Sequence, residues 1–238
     1  LGRWQKGLAL SHSLIFLHGW GTDPGVWKYQ VDYFSRKYKV ETPSAEQRRG
    51  RPLCRPSGRP QRAAPTTILI GWSYGGMRAI EMAAARSGNF GALVLVGCNA
   101  KFTNGINPVV IKNLLRNIER DFEGTMRNCY GTFFSNEESV VRNEFIAAQA
   151  LPEKKAAIGI LRWLLTIDLK ERLKYINIPT LIVHGENDGV CPLETGLFLH
   201  KNIKGSRLEI FRGAGHMPFY TRPAEFNRIL EGFIDVIK

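Results

Sequence analysis

The segment Gly71-Trp72-Ser73-Tyr74-Gly75 sets a serine between two glycines, each two residues away. That spacing suits a nucleophile on a sharp strand-to-helix turn, where only glycine lets the neighbouring backbone come close. Thr67–Ile70 (TILI) before it reads as a buried strand and Gly76–Ala85 (GMRAIEMAAA) after it as a helix, which is the context such a turn requires. A serine hydroxyl is inert at neutral pH without a base. Among the five histidines, His216 stands in Gly213-Ala214-Gly215-His216-Met217-Pro218, just past the apolar run Leu208–Phe211. It therefore falls at a strand's C-terminal end, the edge on which α/β sheets build their sites. His18 and His184 precede glycines at strand ends and read as structural, while His12 and His200 lack a motif and read as surface residues.

A base needs a group that holds its tautomer and stabilises the imidazolium. Asp188 follows the run Thr180–Val183 in His184-Gly185-Glu186-Asn187-Asp188-Gly189-Val190-Cys191-Pro192 and fills that role, with Glu186 as a neighbouring rival. Acyl transfer also needs donors for the tetrahedral oxyanion. The backbone N–H of Tyr74, at the start of the helix after Ser73, is one candidate. The backbone N–H of Trp20, in the loop His18-Gly19-Trp20-Gly21, is the other.

The elements that must position these groups alternate. Ser13–Leu17, Thr67–Ile70, Ala92–Val96, Thr180–Val183 and Leu208–Phe211 are short, almost continuously apolar runs, the pattern of strands covered on both faces. Helical stretches lie between them, and at the C-terminus Phe226, Ile229, Leu230, Phe233 and Ile237 recur at helical spacing. This predicts an α/β fold with a mostly parallel sheet and right-handed crossovers. Residues 102–170 break the alternation. Ile111, Leu114, Leu115 and Ile118, then Val141, Phe145 and Ala148, then Ile158, Leu161, Leu164 and Leu165 all follow a 3.6-residue period. The expected organisation is a core of residues 1–101 and 171–238 carrying a helical lid at 102–170.

Residues 41–65 stand apart, with prolines at 43, 52, 56, 60 and 65 and only Leu53 and Cys54 as sizeable apolar groups. No amphipathic helix can form there, although a crossover helix is due. The tract reads as a long exposed loop, or as a divergent insert or shifted reading frame in place of a helix.

The chain of 238 residues has a net charge of +12. Residues 1–40 carry six Lys/Arg against two Asp/Glu and residues 41–65 six Arg against two Glu, so most of the excess lies ahead of residue 66. Nucleic-acid binding calls for basic groups interleaved with aromatics on a formed face. The basic tract has no aromatic residue, and a nucleic-acid partner is not expected. The cysteines at 54, 98, 129 and 191 form no C-x-x-C pair, so neither a disulfide framework nor a zinc cluster is expected and a reducing cytosol fits. No apolar run reaches the roughly 18 residues of a membrane span. His12 and Ser13 interrupt the short apolar stretch near the N-terminus, which is unlike a signal peptide. The expectation is a soluble cytoplasmic protein with no metal or cofactor.

The motifs HGWG, GWSYGG, HGENDGVCP and GAGHMPF, in this order, resemble the α/β-hydrolase superfamily over nearly the whole chain except 41–65. Within it the sequence most resembles the pimeloyl-ACP methyl ester esterases of biotin synthesis, through LHGWG, GWS and Phe145-Ile146-Ala147-Ala148-Gln149. The resemblance implies a serine carboxylesterase with Ser73 as nucleophile, Asp188 and His216 completing the triad, and Trp20, Tyr74, Phe145 and Gln149 lining the acyl pocket. It also implies an acidic acyl carrier protein as partner, for which Arg116, Arg120, Arg127, Arg142 and Arg162 are candidate docking residues. Relatives carry a D-x-P-G-x-G-x-S loop and a helix where this chain has Thr42-Pro43-Ser44 and then the Arg/Pro tract. That departure predicts an under-covered sheet and a mobile tract. The same triad serves lyases, C–C bond hydrolases and cofactor-free haloperoxidases, and a non-catalytic or slowly hydrolysing binding protein is an alternative of another class.

Overall fold

A computed structural model describes residues 12–44, 66–103 and 108–237. The expectations for the Arg/Pro tract from residue 45 to 65, including Leu53 and Cys54, lie outside the described residues. Strand β1 (His12–Leu17) is followed by a 3-10 turn at Pro24–Trp27, helix α1 (Lys28–Phe34) and strand β2 (Lys39–Glu41). Then come β3 (Thr66–Trp72), α2 (Tyr74–Ala85) and β4 (Ala92–Val96). Four helices follow with no described strand among them: α3 (Pro108–Arg120), α4 (Phe122–Gly131), α5 (Ser139–Ala148) and α6 (Lys154–Thr166). The alternation resumes with β5 (Thr180–Gly185), α7 (Leu193–Asn202), β6 (Arg207–Phe211), the short α8 (Pro218–Thr221) and α9 (Pro223–Asp235).

The six described strands form one parallel sheet in the order β2-β1-β3-β4-β5-β6. Their apolar runs have a simple cause, because alternate side chains of each inner strand enter two different cores. Leu14, Phe16, Ile68, Ile70, Val94 and Val183 face one, closed by Phe34 of α1 and Phe226 and Leu230 of α9. Ile15, Leu17, Leu69, Leu93, Leu95 and Ile182 face the other, closed by Met77 and Ile80 of α2 and by Leu199 of α7. Each such side chain taken fully out of water contributes roughly 1.5–3 kcal/mol. The sheet is thus a double-sided core with no polar face to spare.

The outermost strand departs from the expectation of cover on both faces. In β6 only Phe211 is buried, and Ile210 is exposed. At a sheet edge one neighbour is missing, and each edge carries a charged pair two residues apart: Lys39–Glu41 at 2.7 Å on β2 and Arg207–Glu209 at 2.6 Å on β6. Charges there discourage pairing with another chain. Ala148, included in the apolar period of α5, is exposed at that helix's last residue.

In this strand order β1 leads outward to β2 and the chain then returns to β3 on its other side, so the direction of winding reverses between β1 and β3. Loops leaving the C-terminal ends of two such strands part there and open a crevice. Leu17 at the end of β1 is in register with Gly71 of β3, and Trp72 is in register with Val96 of β4. The HGWG loop, the serine turn and the end of β4 therefore meet at one edge. Among the described residues no helix is long and apolar enough to cross a membrane.

Candidate active site

Ser73 has φ 54° and ψ −120°, the only positive φ at a non-glycine among the described residues. Such a conformation persists only where the surroundings over-determine it. Here the Ser73 N–H donates to Val96 O at 3.0 Å, and Ser73 O accepts from Met77 N at 3.1 Å to open α2. Glycine on either side is obligatory for lack of space. A Cβ on Gly71 would meet the carbonyl of Gly75, and one on Gly75 would meet the carbonyls of Leu17 and His18. That last approach presses the start of α2 against the HGWG loop. It draws the Tyr74 and Trp20 segments together at a helix N-terminus whose first N–H groups have no intrahelical partner.

His216 is fully buried, and its Nδ1 lies 2.7 Å from Asp188 Oδ2. The second carboxylate oxygen, Oδ1, accepts from Val190 N at 2.9 Å and Cys191 N at 2.8 Å. These amides hold the carboxylate in place with Oδ2 turned towards His216 Nδ1. Gly97, one residue beyond the Val96 carbonyl that holds Ser73, packs under the pair. A Cβ there would sit 3.0 Å from His216 Nδ1 and 3.2 Å from Asp188 Oδ2. The end of β4 thus holds Ser73 through Val96 and packs against the Asp188–His216 pair through Gly97. No hydrogen bond joins His216 Nε2 to a described group, the Ser73 hydroxyl included. Such bonds commonly form only once substrate is bound. The rival carboxylate Glu186 is exposed and accepts from Gly213 N at 2.9 Å, tying the two loops together away from the imidazole.

His184 is also buried, with Nε2 2.7 Å from Cys191 O and 3.5 Å from Asp188 Oδ2. Burial holds its pKa below the ordinary 6.5 despite the neighbouring carboxylate, so it is a neutral donor to the Cys191 carbonyl. Sequence reasoning assigns it a structural part, and the structure adds which part: it braces the Asp188 loop. Burial also pushes the Cys98 and Cys191 thiols well up and that of Cys129 up to about 11. None of the three is a thiolate nucleophile near neutral pH.

A cavity of about 120 Å³ opens beside Ser73, with Trp20, Tyr74, Phe133, Leu161, Leu164 and Val190 among its walls. Trp20 is held by its indole N–H, which donates to Ala157 O of α6 at 2.8 Å. The Tyr74 ring meets Trp163 of the same helix edge-on at 5.5 Å. Phe145 and Gln149 stand outside this lining. Phe145 is buried behind Phe133 and Phe134 in an aromatic cluster completed by Tyr130 and Tyr220. Gln149 donates to Asp23 Oδ2 at 2.9 Å, joining the end of α5 to the loop after β1. Of the five arginines, Arg127 pairs with Glu123 at 2.9 Å. Arg116, Arg120, Arg142 and Arg162 have no ion-pair partner among the described residues. No cluster of three or more metal-ligating side chains occurs among the described residues.

Sequence reasoning missed three supports of His216. Phe133 O accepts its N–H at 2.7 Å, Trp72 donates to its carbonyl, and Glu138 accepts from Gly215 N at 3.0 Å. The pattern Ser135-x-x-Glu138 signals only the local helix cap and not the reach to Gly215.

A six-stranded parallel sheet flanked by helices, with a serine at positive φ after its third strand and a bonded Asp–His pair on later loops, defines an α/β fold. The chain belongs to the alpha/beta hydrolase family, whose model matches residues 14–229. It is 29% identical to the pimeloyl-[acyl-carrier protein] methyl ester esterase of Proteus mirabilis (strain HI4320), over 95% of this chain and 94% of that protein. An esterase from Exiguobacterium antarcticum superposes with a TM-score of 0.76 at 21% identity, over 94% of this chain and 92% of that one. A bromoperoxidase from Bacillus anthracis gives 0.78 at 21%, over the same shares. At these identities the superpositions speak for the fold alone.

Proposed function

We propose that the chain is a serine carboxylesterase. Ser73 attacks the ester carbonyl and His216 Nε2 takes its proton. Asp188 holds the imidazole in the tautomer that leaves Nε2 free to do so. The Trp20 and Tyr74 amides stabilise the oxyanion; His216 then returns its proton to the departing alcohol and activates the water that releases the acid. Water adds across the bond, so the products are an acid and an alcohol and no cofactor is consumed. The observation that carries this reading is the 2.7 Å bond between His216 and Asp188, set against the backbone that holds Ser73 at positive φ.

The relative from Proteus mirabilis supports a finer reading, a methyl ester on an acyl chain carried by acyl carrier protein. An acyl chain suits the apolar walls supplied by Phe133, Leu161, Leu164 and Val190. An acidic carrier suits the arginines of α3, α5 and α6 that have no ion-pair partner among the described residues. On this reading the helices from Pro108 to Thr166 form a lid over the site, borne by the core of residues 1–101 and 171–238.

The test is hydrolysis of p-nitrophenyl esters of graded acyl length by the wild type and by Ser73→Ala. The expected result is turnover that falls by several orders of magnitude in the variant, with an optimum chain length that sizes the cavity. Equal turnover by the two proteins, or no turnover by folded wild type, would overturn the reading.

A further inference from the structure

We infer that Glu138 is a positioning residue for His216, acting through the Gly215 amide, so that the segment between α4 and α5 is a working part of the site. The inference rests on the esterase reading above. Glu138 ends a 3-10 turn at Asn136–Glu138 that has Ser135 at its N-cap position. Its Oε2 accepts from Ser135 N at 2.8 Å, the reach-back of an ordinary capping box. The same oxygen accepts from Gly215 N at 3.0 Å, across 77 residues of sequence. A helix cap does not need that second bond.

The next amide along, His216 N–H, donates to Phe133 O at 2.7 Å. Two successive amides of the histidine loop are therefore received by residues 133–138. Elsewhere the loop is held by Asn187 N donating to Ala214 O at 2.9 Å and by Trp72 on the His216 carbonyl. Bonds from amides to a charged carboxylate are stronger than neutral ones. Glu138 has no cationic partner among the described residues, and its Oε1 is buried with no described partner. Holding a part-buried carboxylate on amide bonds alone is costly, and here the gain is a fixed path for the backbone that carries His216. General-base catalysis is sensitive to that path, since a shift near 1 Å can cost about 100-fold in rate.

The test compares the full chain with Glu138→Gln, Glu138→Asp and Glu138→Leu. Glutamine keeps an acceptor oxygen in place, aspartate withdraws it by one methylene while keeping the charge, and leucine removes it. Steady-state turnover of a p-nitrophenyl ester is read beside the low-field proton resonance of His216 Nδ1–H, with thermal melting to establish folding. Expected is a kcat about 30- to 100-fold lower in the aspartate and leucine variants, KM within about twofold, and a displaced or broadened resonance. The glutamine variant should recover to within about threefold of wild type. If the leucine variant does not fold, the aspartate and glutamine variants carry the comparison. Folded aspartate or leucine variants with wild-type kcat and an unmoved resonance would reduce Glu138 to a helix cap. A glutamine variant as poor as leucine would also overturn the inference. The resonance needs no substrate, so failure of the esterase reading and failure of this one are told apart.

Discussion

The Trp72 indole N–H donates to the main-chain carbonyl of His216 at 2.9 Å, so the residue before the proposed nucleophile holds the proposed base. Both side chains are fully buried, and their rings lie 5.3 Å apart. Trp72→Phe keeps an aromatic ring but leaves a buried carbonyl unpaired. Such an orphan costs about 1–3 kcal/mol. The expected outcome is a lower urea midpoint together with a kcat reduced about tenfold. A variant that unfolds at the wild-type midpoint and turns over at the wild-type rate would show that the bond positions nothing.

Gly97 offers a sharper probe, because it combines φ +48° with the absence of room for a Cβ. Gly97→Ala would press a methyl on His216 Nδ1 and Asp188 Oδ2 together while straining the backbone. We expect kcat to fall by one to two orders of magnitude while KM for small esters holds within a few-fold, because the cavity walls are untouched. Steady-state kinetics decide it. A KM effect alone would place Gly97 in substrate binding.

Ser73, Asp188 and His216, the residues proposed as the triad, lie on short motifs whose glycines answer to local geometry. Gly71 and Gly75 are required by backbone packed against them, and that requirement survives in any chain that makes this turn. The strands were legible because burial on both faces removes polar residues. That logic failed at β6, where edge position cannot be read from five residues. Phe145 and Gln149 were harder, because a helix period says which residues share a face and not which wall that face meets. Trp72, Phe133 and Glu138 act on His216 through bonds that span 77 to 144 residues, which no local pattern encodes.

His184 gives stability a pH dependence of known sign. Its pKa in the folded protein is depressed by burial, the strongest influence, against opposing contributions from Asp188, the Cys191 carbonyl and Glu194 and a lowering one from His216. The unfolded chain binds a proton near 6.5 and the folded protein resists it. The neutral imidazole's contribution is therefore complete above that value and is lost as pH falls below it towards the folded pKa. One such group changes stability by at most about 1.4 kcal/mol per pH unit. Urea midpoints from pH 8 to pH 5 should decline below pH 6.5 in the wild type and decline less steeply in His184→Gln. Parallel slopes would assign the acid sensitivity to other groups.

The carrier-docking reading is separable from the chemistry by salt and charge. Arg116 and Arg120 on α3, Arg142 on α5 and Arg162 on α6 have no described ion-pair partner, while Arg127 is already paired with Glu123. Free cations steer an acidic partner over a distance set by ionic strength, about 10 Å at 0.1 M. Reversing one of them, as in Arg142→Glu, should lower kcat/KM for a carrier-bound ester about five- to tenfold at low salt. Added salt should shrink that deficit, because it weakens steering in the wild type. Arg127→Glu, which ends an existing pair, should do less to the ratio of carrier-bound to free-ester rates. Carrier-bound turnover that ignores both salt and Arg142→Glu would leave these arginines as a solvated face and move the carrier elsewhere on the molecule.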